Sequence, residues 1–212
     1  LKDQVRFLGE GRLLQRPLSP LKEELEKHGC TFVLGSGELW GSGRLQNGIF
    51  TLPGDVSSQY ITGLLFALPL LNGDSEINLT SPLESKSYVD LTLQVLKESG
   101  IQIQVISNTE RVGSKHVTLE KYIIPGNQRY HCPSSTTPEG DWSNGAFWLA
   151  ANYVGFANQV SCTGLNPDSL QGDRAVSQLL RDFPNNIDGS QIPDLIPILG
   201  VVASVRPGIT II

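Results

Sequence analysis

A few side chains in this sequence are suited by type and spacing to chemistry on small anions. Arg16 stands in Gln15-Arg16-Pro17, at the mouth of a helix expected over residues 20–28. Its guanidinium fork donates two parallel hydrogen bonds to a phosphate or carboxylate. Ser57, Ser58 and Gln59 follow Gly54-Asp55-Val56 and precede an apolar stretch with Ile61, Leu64, Leu65 and Leu68. A helix opening there offers unpaired N–H groups and partial positive charge, a natural seat for an anion. Ser85, Lys86 and Tyr88 form a second polar cluster ahead of a helix expected over residues 89–99. The plainer reading of each feature is a helix cap or a solvated surface group. Asp194 sits in an apolar run beside Ile192, Leu195 and Ile196. If buried, such a carboxylate has a raised pKa, useful to a general base; if it faces water, it is an ordinary surface group.

Other chemistries fail on composition or spacing. The formal charge of -5 argues against binding nucleic acid, which needs many Lys and Arg on phosphates. Cys30, Cys132 and Cys162 are odd in number and contain no CxxC pair, so neither a disulfide framework nor a zinc site is expected. His28, His116 and His131 have no metal-ligand spacing, and no cofactor is implied. The glycine-rich stretch 35–43 lacks the dinucleotide-binding spacing and the phosphate-loop Lys, and is expected to be a turn. No Gly-x-Ser-x-Gly occurs. The longest apolar run, residues 63–71, contains Pro69 and is too short to span a bilayer, so a soluble protein in a reducing compartment is expected, with no membrane partner. An opening Leu1 and a strand-like ending Ile209-Thr210-Ile211-Ile212 suggest an excised segment.

Positioning these residues requires a repeated scaffold. Gly54-Asp55-Val56-Ser57-Ser58 returns as Gly140-Asp141-Trp142-Ser143-Asn144, and more weakly as Asp188-Gly189-Ser190, each before an apolar stretch. Each is expected to cap a helix that is apolar nearly all round, and hence buried. A second pattern is an amphipathic helix, a Gly stop and a strand. It runs Leu21, Leu25, Gly29 and Cys30-Thr31-Phe32-Val33, then Leu91, Val95 or Leu96, Gly100 and residues 101–105, with an eroded copy at 175–183. Strands are expected at 49–52, 76–79, 116–119, 159–163 and 208–212. The fold class is therefore α/β, built from repeated βαβαββ units with buried helices. A boundary is expected in the polar stretch 133–139.

Six motifs together resemble the 5-enolpyruvylshikimate-3-phosphate synthase family. They are Arg16-Pro17, Gly54 to Tyr60, Ser85-Lys86-Ser87-Tyr88-Val89-Asp90, Glu139-Gly140-Asp141, Ser169-Leu170-Gln171-Gly172-Asp173 and Ile192-Pro193-Asp194, in the family's order and approximate spacing. The resemblance implies the enolpyruvyl transferase fold, with helices inside and sheets outside, incomplete in this chain. Residues 1–138 would be the later part of one domain and 139–212 the first part of the second, with the active site in the cleft between domains. It implies transfer of the carboxyvinyl group of phosphoenolpyruvate to the 5-hydroxyl of shikimate 3-phosphate, on the route to chorismate and aromatic amino acids. Ser57, Ser58 and Ser85 would hold the shikimate phosphate, Gln59 and Tyr88 would line its ring, and Arg16 with Gln59 would hold phosphoenolpyruvate. Asp194 would bind the shikimate hydroxyls and act as the base, and Asp141 would be structural or a hinge.

The family's Lys near the amino terminus, its Asn-Ala-Gly-Thr segment, its later Lys-Glu and Arg motifs and its closing Lys find no match here. The chain alone is therefore expected to be inactive. The parent is expected to be a monomer in the cytoplasm, with a plastid left open, and a target of glyphosate. Two rivals share parts of this pattern: the carboxyvinyl transferase acting on a UDP-amino sugar, and a non-catalytic binding module whose repeats serve packing alone.

Overall fold

The structure, a computed structural model, describes residues 4–35, 37–112, 115–155 and 160–212. Packing divides the chain into two units: Leu1–Leu83 with Val95–Cys132, and Glu84–Gln94 with Pro133–Ile212.

In chain order the first unit contains β1 (Gln4–Leu8), α1 (Leu21–Lys27), β2 (Cys30–Leu34), β3 (Glu38–Gly43), β4 (Ile49–Leu52), α2 (Ser58–Ala67) and β5 (Ser75–Leu79). The end of α3 (Lys86–Glu98) follows, then β6 (Gln104–Val112) and β7 (Lys115–Ile124). α1 stops where Gly29 takes a φ of +90°, and β2 begins at the next residue. Gly100, at φ +80°, ends α3 in the same way, but pairing resumes only at Gln104.

One sheet has the antiparallel order β1-β3-β2. Its central strand occupies most of the glycine-rich stretch expected to be a turn; Ser36 of that stretch lies outside the described residues. The physical reason is at Gly41: a Cβ there would stand 3.3 Å from the Phe32 ring and 3.4 Å from the Phe7 ring. The flanking strands lay their aromatic rings over a residue with no side chain, so the glycine serves close packing and not a turn.

The second sheet has the order β4-β5-β7-β6, with β4 and β5 parallel and the other pairs antiparallel. α2 makes the crossover between β4 and β5. Alternation sets the faces: Phe50 and Leu52 of β4, Ile77 and Leu79 of β5, and Tyr122 and Ile124 of β7 are buried, each two residues apart. Ile61, Leu64 and Leu65 of α2 are buried as well. Glu24 of α1, itself buried, accepts a hydrogen bond of 3.0 Å from the Thr51 amide and one of 2.6 Å from Lys27, which ties α1 to β4. The strand expected at 116–119 is the start of the longer β7.

The second unit contains the first turns of α3, α4 (Trp142–Val154), α5 (Val176–Leu179) and α6 (Ile196–Ser204). Tight turns at Gly172–Ala175 and Pro193–Leu195 lead into α5 and α6. Trp142, Ala146, Ala150, Val176, Phe183, Leu195, Leu199 and Val202 belong to one buried apolar cluster. The helices here are less enclosed than their composition suggests: Phe147 and Trp148 of α4 are 60% and 56% exposed, and Val201 of α6 is 57% exposed.

Several expected elements differ. Gln159 lies outside the described residues, and 160–163 form no strand. Of residues 208–212, only Ile211 pairs, in a parallel bridge with Asn186. Asp188 accepts from the Ser190 amide at 3.0 Å and closes a local turn, so the third copy caps nothing and the helix begins later. The eroded copy at 175–183 reduces to the four-residue α5.

Candidate active site

In the first unit, β4 leads through Leu52-Pro53-Gly54 to the start of α2. Gly54 is required there, since a Cβ would lie 2.6 Å from the Ser81 carbonyl and 2.7 Å from that of Pro82. The Gly54 amide donates to Ser81 Oγ at 2.9 Å, and Ser81 Oγ donates to Asp55 Oδ1 at 2.5 Å. Asp55 is thus bound to the segment after β5 and does not cap α2. Ser57 holds the N-cap position in extended backbone, yet its hydroxyl makes no capping bond. The expected capping is therefore not made at this helix, and the half-buried Ser57 and Ser58 with the exposed Gln59 surround an open helix terminus. The Tyr60 hydroxyl donates to the Pro17 carbonyl at 2.7 Å, which holds the Arg16-Pro17 segment beside the first turn of α2. Arg16 itself is exposed. The segment carrying Arg16 thus lies near the helix start that carries Ser57, Ser58 and Gln59.

α4 in the second unit shows the motif performing its cap. Asp141 Oδ1 accepts from the Ser143 amide at 2.8 Å and from the Asn144 amide at 3.2 Å. The same sequence pattern therefore has two outcomes, because Asp55 is taken by Ser81 and, among the described residues, Asp141 Oδ1 accepts only from the helix amides.

The second unit also brings Ser85, Tyr88 and Asp194 together. Ser85 has a φ of +52°, a sparsely populated region for a residue with a side chain, and its amide donates to the Ser190 carbonyl at 3.2 Å. The Lys86 amide donates to Gln191 Oε1 at 2.9 Å, and Lys86 Nζ is held by Asp90 at 2.8 Å. These bonds join the start of α3 to the segment before α6. The Tyr88 hydroxyl then donates to Asp194 Oδ2 at 2.7 Å. Asp194 is exposed while its neighbours Ile192 and Leu195 are buried, so it is the solvent-facing member of an apolar run. Burial, the bond to Asp194 and the charges of Asp173 and Asp194 push the Tyr88 phenol above its ordinary pKa, keeping it a neutral donor.

Sequence reasoning assigned no role to Asp173 and gave Ser143 only a place in the expected cap of α4. Asp173 is 3% exposed and accepts from the Ser143 hydroxyl. Burial pushes its pKa up; the Ser143 bond opposes this, and the carboxylates of Asp194 and Asp141 reinforce it. Gly172 lets the turn pack closely: a Cβ there would stand 2.6 Å from Ser87 Oγ and 3.0 Å from the Gln191 carbonyl, so a side chain would have to displace both. The signal for Asp173 in the sequence was the Ser169 to Asp173 motif, with nothing to pair it with Ser143 of the capping motif. The arrangement as a whole presents one oriented, water-facing carboxylate beside a neutral phenol, with a second carboxylate behind them. Such a set accepts a proton, or a pair of hydrogen bonds, from the hydroxyls of a polar ligand.

The comparisons with known proteins agree in one direction. The family model for EPSP synthase (3-phosphoshikimate 1-carboxyvinyltransferase) matches residues 1–198. The 3-phosphoshikimate 1-carboxyvinyltransferase of Clostridium kluyveri is 40% identical, over 99% of this chain and 51% of that protein. Its counterpart in Clostridium acetobutylicum is 37% identical, over 97% of this chain and 50% of that protein. The chain spans about half the length of these curated relatives. Among solved structures, the enolpyruvyl transferase NikO from Streptomyces tendae has a TM-score of 0.45 at 17% identity, over 71% of this chain and 33% of that one, a likeness too distant to bear weight. The family match takes in every motif from Arg16 to Asp194, and on that match the chain belongs to the EPSP synthase family.

Proposed function

We propose that the chain is part of a longer enzyme that transfers the carboxyvinyl group of phosphoenolpyruvate to the 5-hydroxyl of shikimate 3-phosphate and releases inorganic phosphate. The observation that carries this reading is the family match over residues 1–198, which contains each residue given a role below. Residues 1–138 are taken as the later part of one domain of that enzyme and 139–212 as the first part of the other. The substrates are small molecules, and the compartment is the cytoplasm.

The roles follow from chemistry. Ser57 and Ser58, at a helix terminus whose own cap is not made, donate to the shikimate phosphate together with Ser85. Gln59 and Tyr88 line the ring, and Arg16 and Gln59 bind phosphoenolpyruvate, where a guanidinium matches carboxylate and phosphate oxygens. Asp194 takes the proton of the 5-hydroxyl as that oxygen bonds to the enol carbon. The methylene carbon gains a proton from an acid outside this chain. The tetrahedral product then breaks its bond to the phosphate oxygen and loses a proton from the new methyl group, restoring the double bond.

The test is Asp194→Ala in the longer enzyme. Loss of a general base should lower kcat on the order of a hundredfold or more, with shikimate 3-phosphate still bound. An unchanged rate removes Asp194 from the chemistry. Tight binding of a UDP-amino sugar, with none of shikimate 3-phosphate, reassigns the acceptor.

A further inference from the structure

We propose that the second unit carries an additional anion site, lined by none of the residues assigned to the transfer reaction, for a small molecule bearing one phosphate or carboxylate on an apolar body. The site is a cavity of about 490 Å³ between the loop at residues 167–171 and the helical segment that begins at Gly172. That volume lies within the range typical of small-molecule sites, roughly 300–1,000 Å³.

The sequence builds the polar wall by helical spacing. Arg174, Ser177, Gln178 and Arg181 recur at intervals of three, one and three residues, which places them on one face of a helical turn, while Val176 turns into the core. The apolar wall comes from Trp142 and Leu170. Among the described residues lining the cavity there is no Asp or Glu.

Both guanidiniums are oriented by backbone carbonyls. Arg174 Nη1 donates to the Pro167 carbonyl, and Arg181 Nε donates to that of Ser177 at 3.0 Å. The Ser177 hydroxyl donates to the Arg174 carbonyl at 3.0 Å. A carbonyl fixes a guanidinium without neutralising it, and each Arg has five N–H donors, so most remain open to a ligand. Glu139 stands behind the loop wall, held by Ser169 and by Gln171 at 2.9 Å. Among the described residues neither guanidinium forms an ion pair, so two oriented positive charges line a concave site on a chain of net charge -5. Surface arginines on an acidic protein ordinarily meet carboxylates; here they meet a cavity with an apolar side. A bound oxyanion would accept from both forks, and its organic body would rest against Trp142 and Leu170.

The experiment is a titration of the 212-residue chain with phenyl phosphate, benzoate and inorganic phosphate, followed by the arginine Nε and tryptophan indole resonances in NMR. The expected result is a saturable shift of the Arg174, Arg181 and Trp142 signals. Phenyl phosphate should bind more tightly than inorganic phosphate, and the better of phenyl phosphate and benzoate names the headgroup. Arg174→Ala with Arg181→Ala should weaken binding about ten-fold or more. Gln178→Glu, an exposed position that tolerates the change, should abolish it by adding a carboxylate. Ser57→Ala with Ser58→Ala should leave it unchanged, which separates this site from the one proposed for the reaction. The absence of any saturable shift overturns the proposal, as does an affinity indifferent to both the arginine pair and Gln178→Glu.

Discussion

A phenol that donates to a carboxylate must stay protonated to be useful, and the surroundings of Tyr88 enforce this. Burial, the Asp194 bond and the neighbouring charges hold its proton more tightly in the folded chain than in the unfolded one. An unfolded tyrosine loses its proton near pH 10, while folded Tyr88 keeps it to higher pH. The folded state then binds more protons, so stability is complete below about pH 10 and falls as the pH rises towards the folded-state value. Tyr88→Phe should flatten that alkaline fall, read from urea midpoints at pH values on either side of 10. A wild-type slope retained in the variant would refute it. Asp173 carries a different lesson at the same scale. Its motif was visible, but its partner Ser143 lies 30 residues away, and a buried carboxylate cannot be told from an exposed one without that partner. The reverse held for Asp194, whose apolar neighbours raised the prospect of burial; they turn inward and leave it facing water.

At the level of elements, α2 and α4 open on the same motif and should respond differently to losing it. Asp141→Ala removes an acceptor for two helix amides and should cost about 1 kcal/mol. Ser57→Ala removes no capping bond and should cost less than about 0.5 kcal/mol. Chemical denaturation of the two variants checks this, and equal losses would contradict the geometry. Local signals carried most of what could be read in advance: the helices α1 to α4, the glycine stops at 29 and 100, and the strands β4 and β5. They failed where a distant partner decided the outcome. β3 was hidden by its glycines, and the reason for Gly41 is the rings of Phe7 and Phe32 on neighbouring strands. Residues 160–163 and 208–212 have β-branched residues without a partner strand among the described residues, and composition alone does not make a ladder. Asp188 has the look of a cap and closes a turn instead, because local side-chain bonding competes with helix initiation.

For the molecule as a whole, membership of the EPSP synthase family rests on nearly the full chain, while the chain spans about half of its curated relatives. The proposed reaction needs one base, one acid and several cations; candidates here are Asp194 and Arg16, and the remaining family motifs find no match. The purified 212-residue chain should therefore release no phosphate from phosphoenolpyruvate and shikimate 3-phosphate above the uncatalysed background. Measurable turnover would show that these residues suffice. The uncovered rings of Phe147 and Trp148, with Val201, carry a thermal consequence. Hydrocarbon already hydrated in the native fold changes little when the chain melts, and that change in hydration is the source of the heat-capacity step of unfolding. The second unit should thus have a shallow calorimetric baseline jump for its size and a flat dependence of melting enthalpy on temperature.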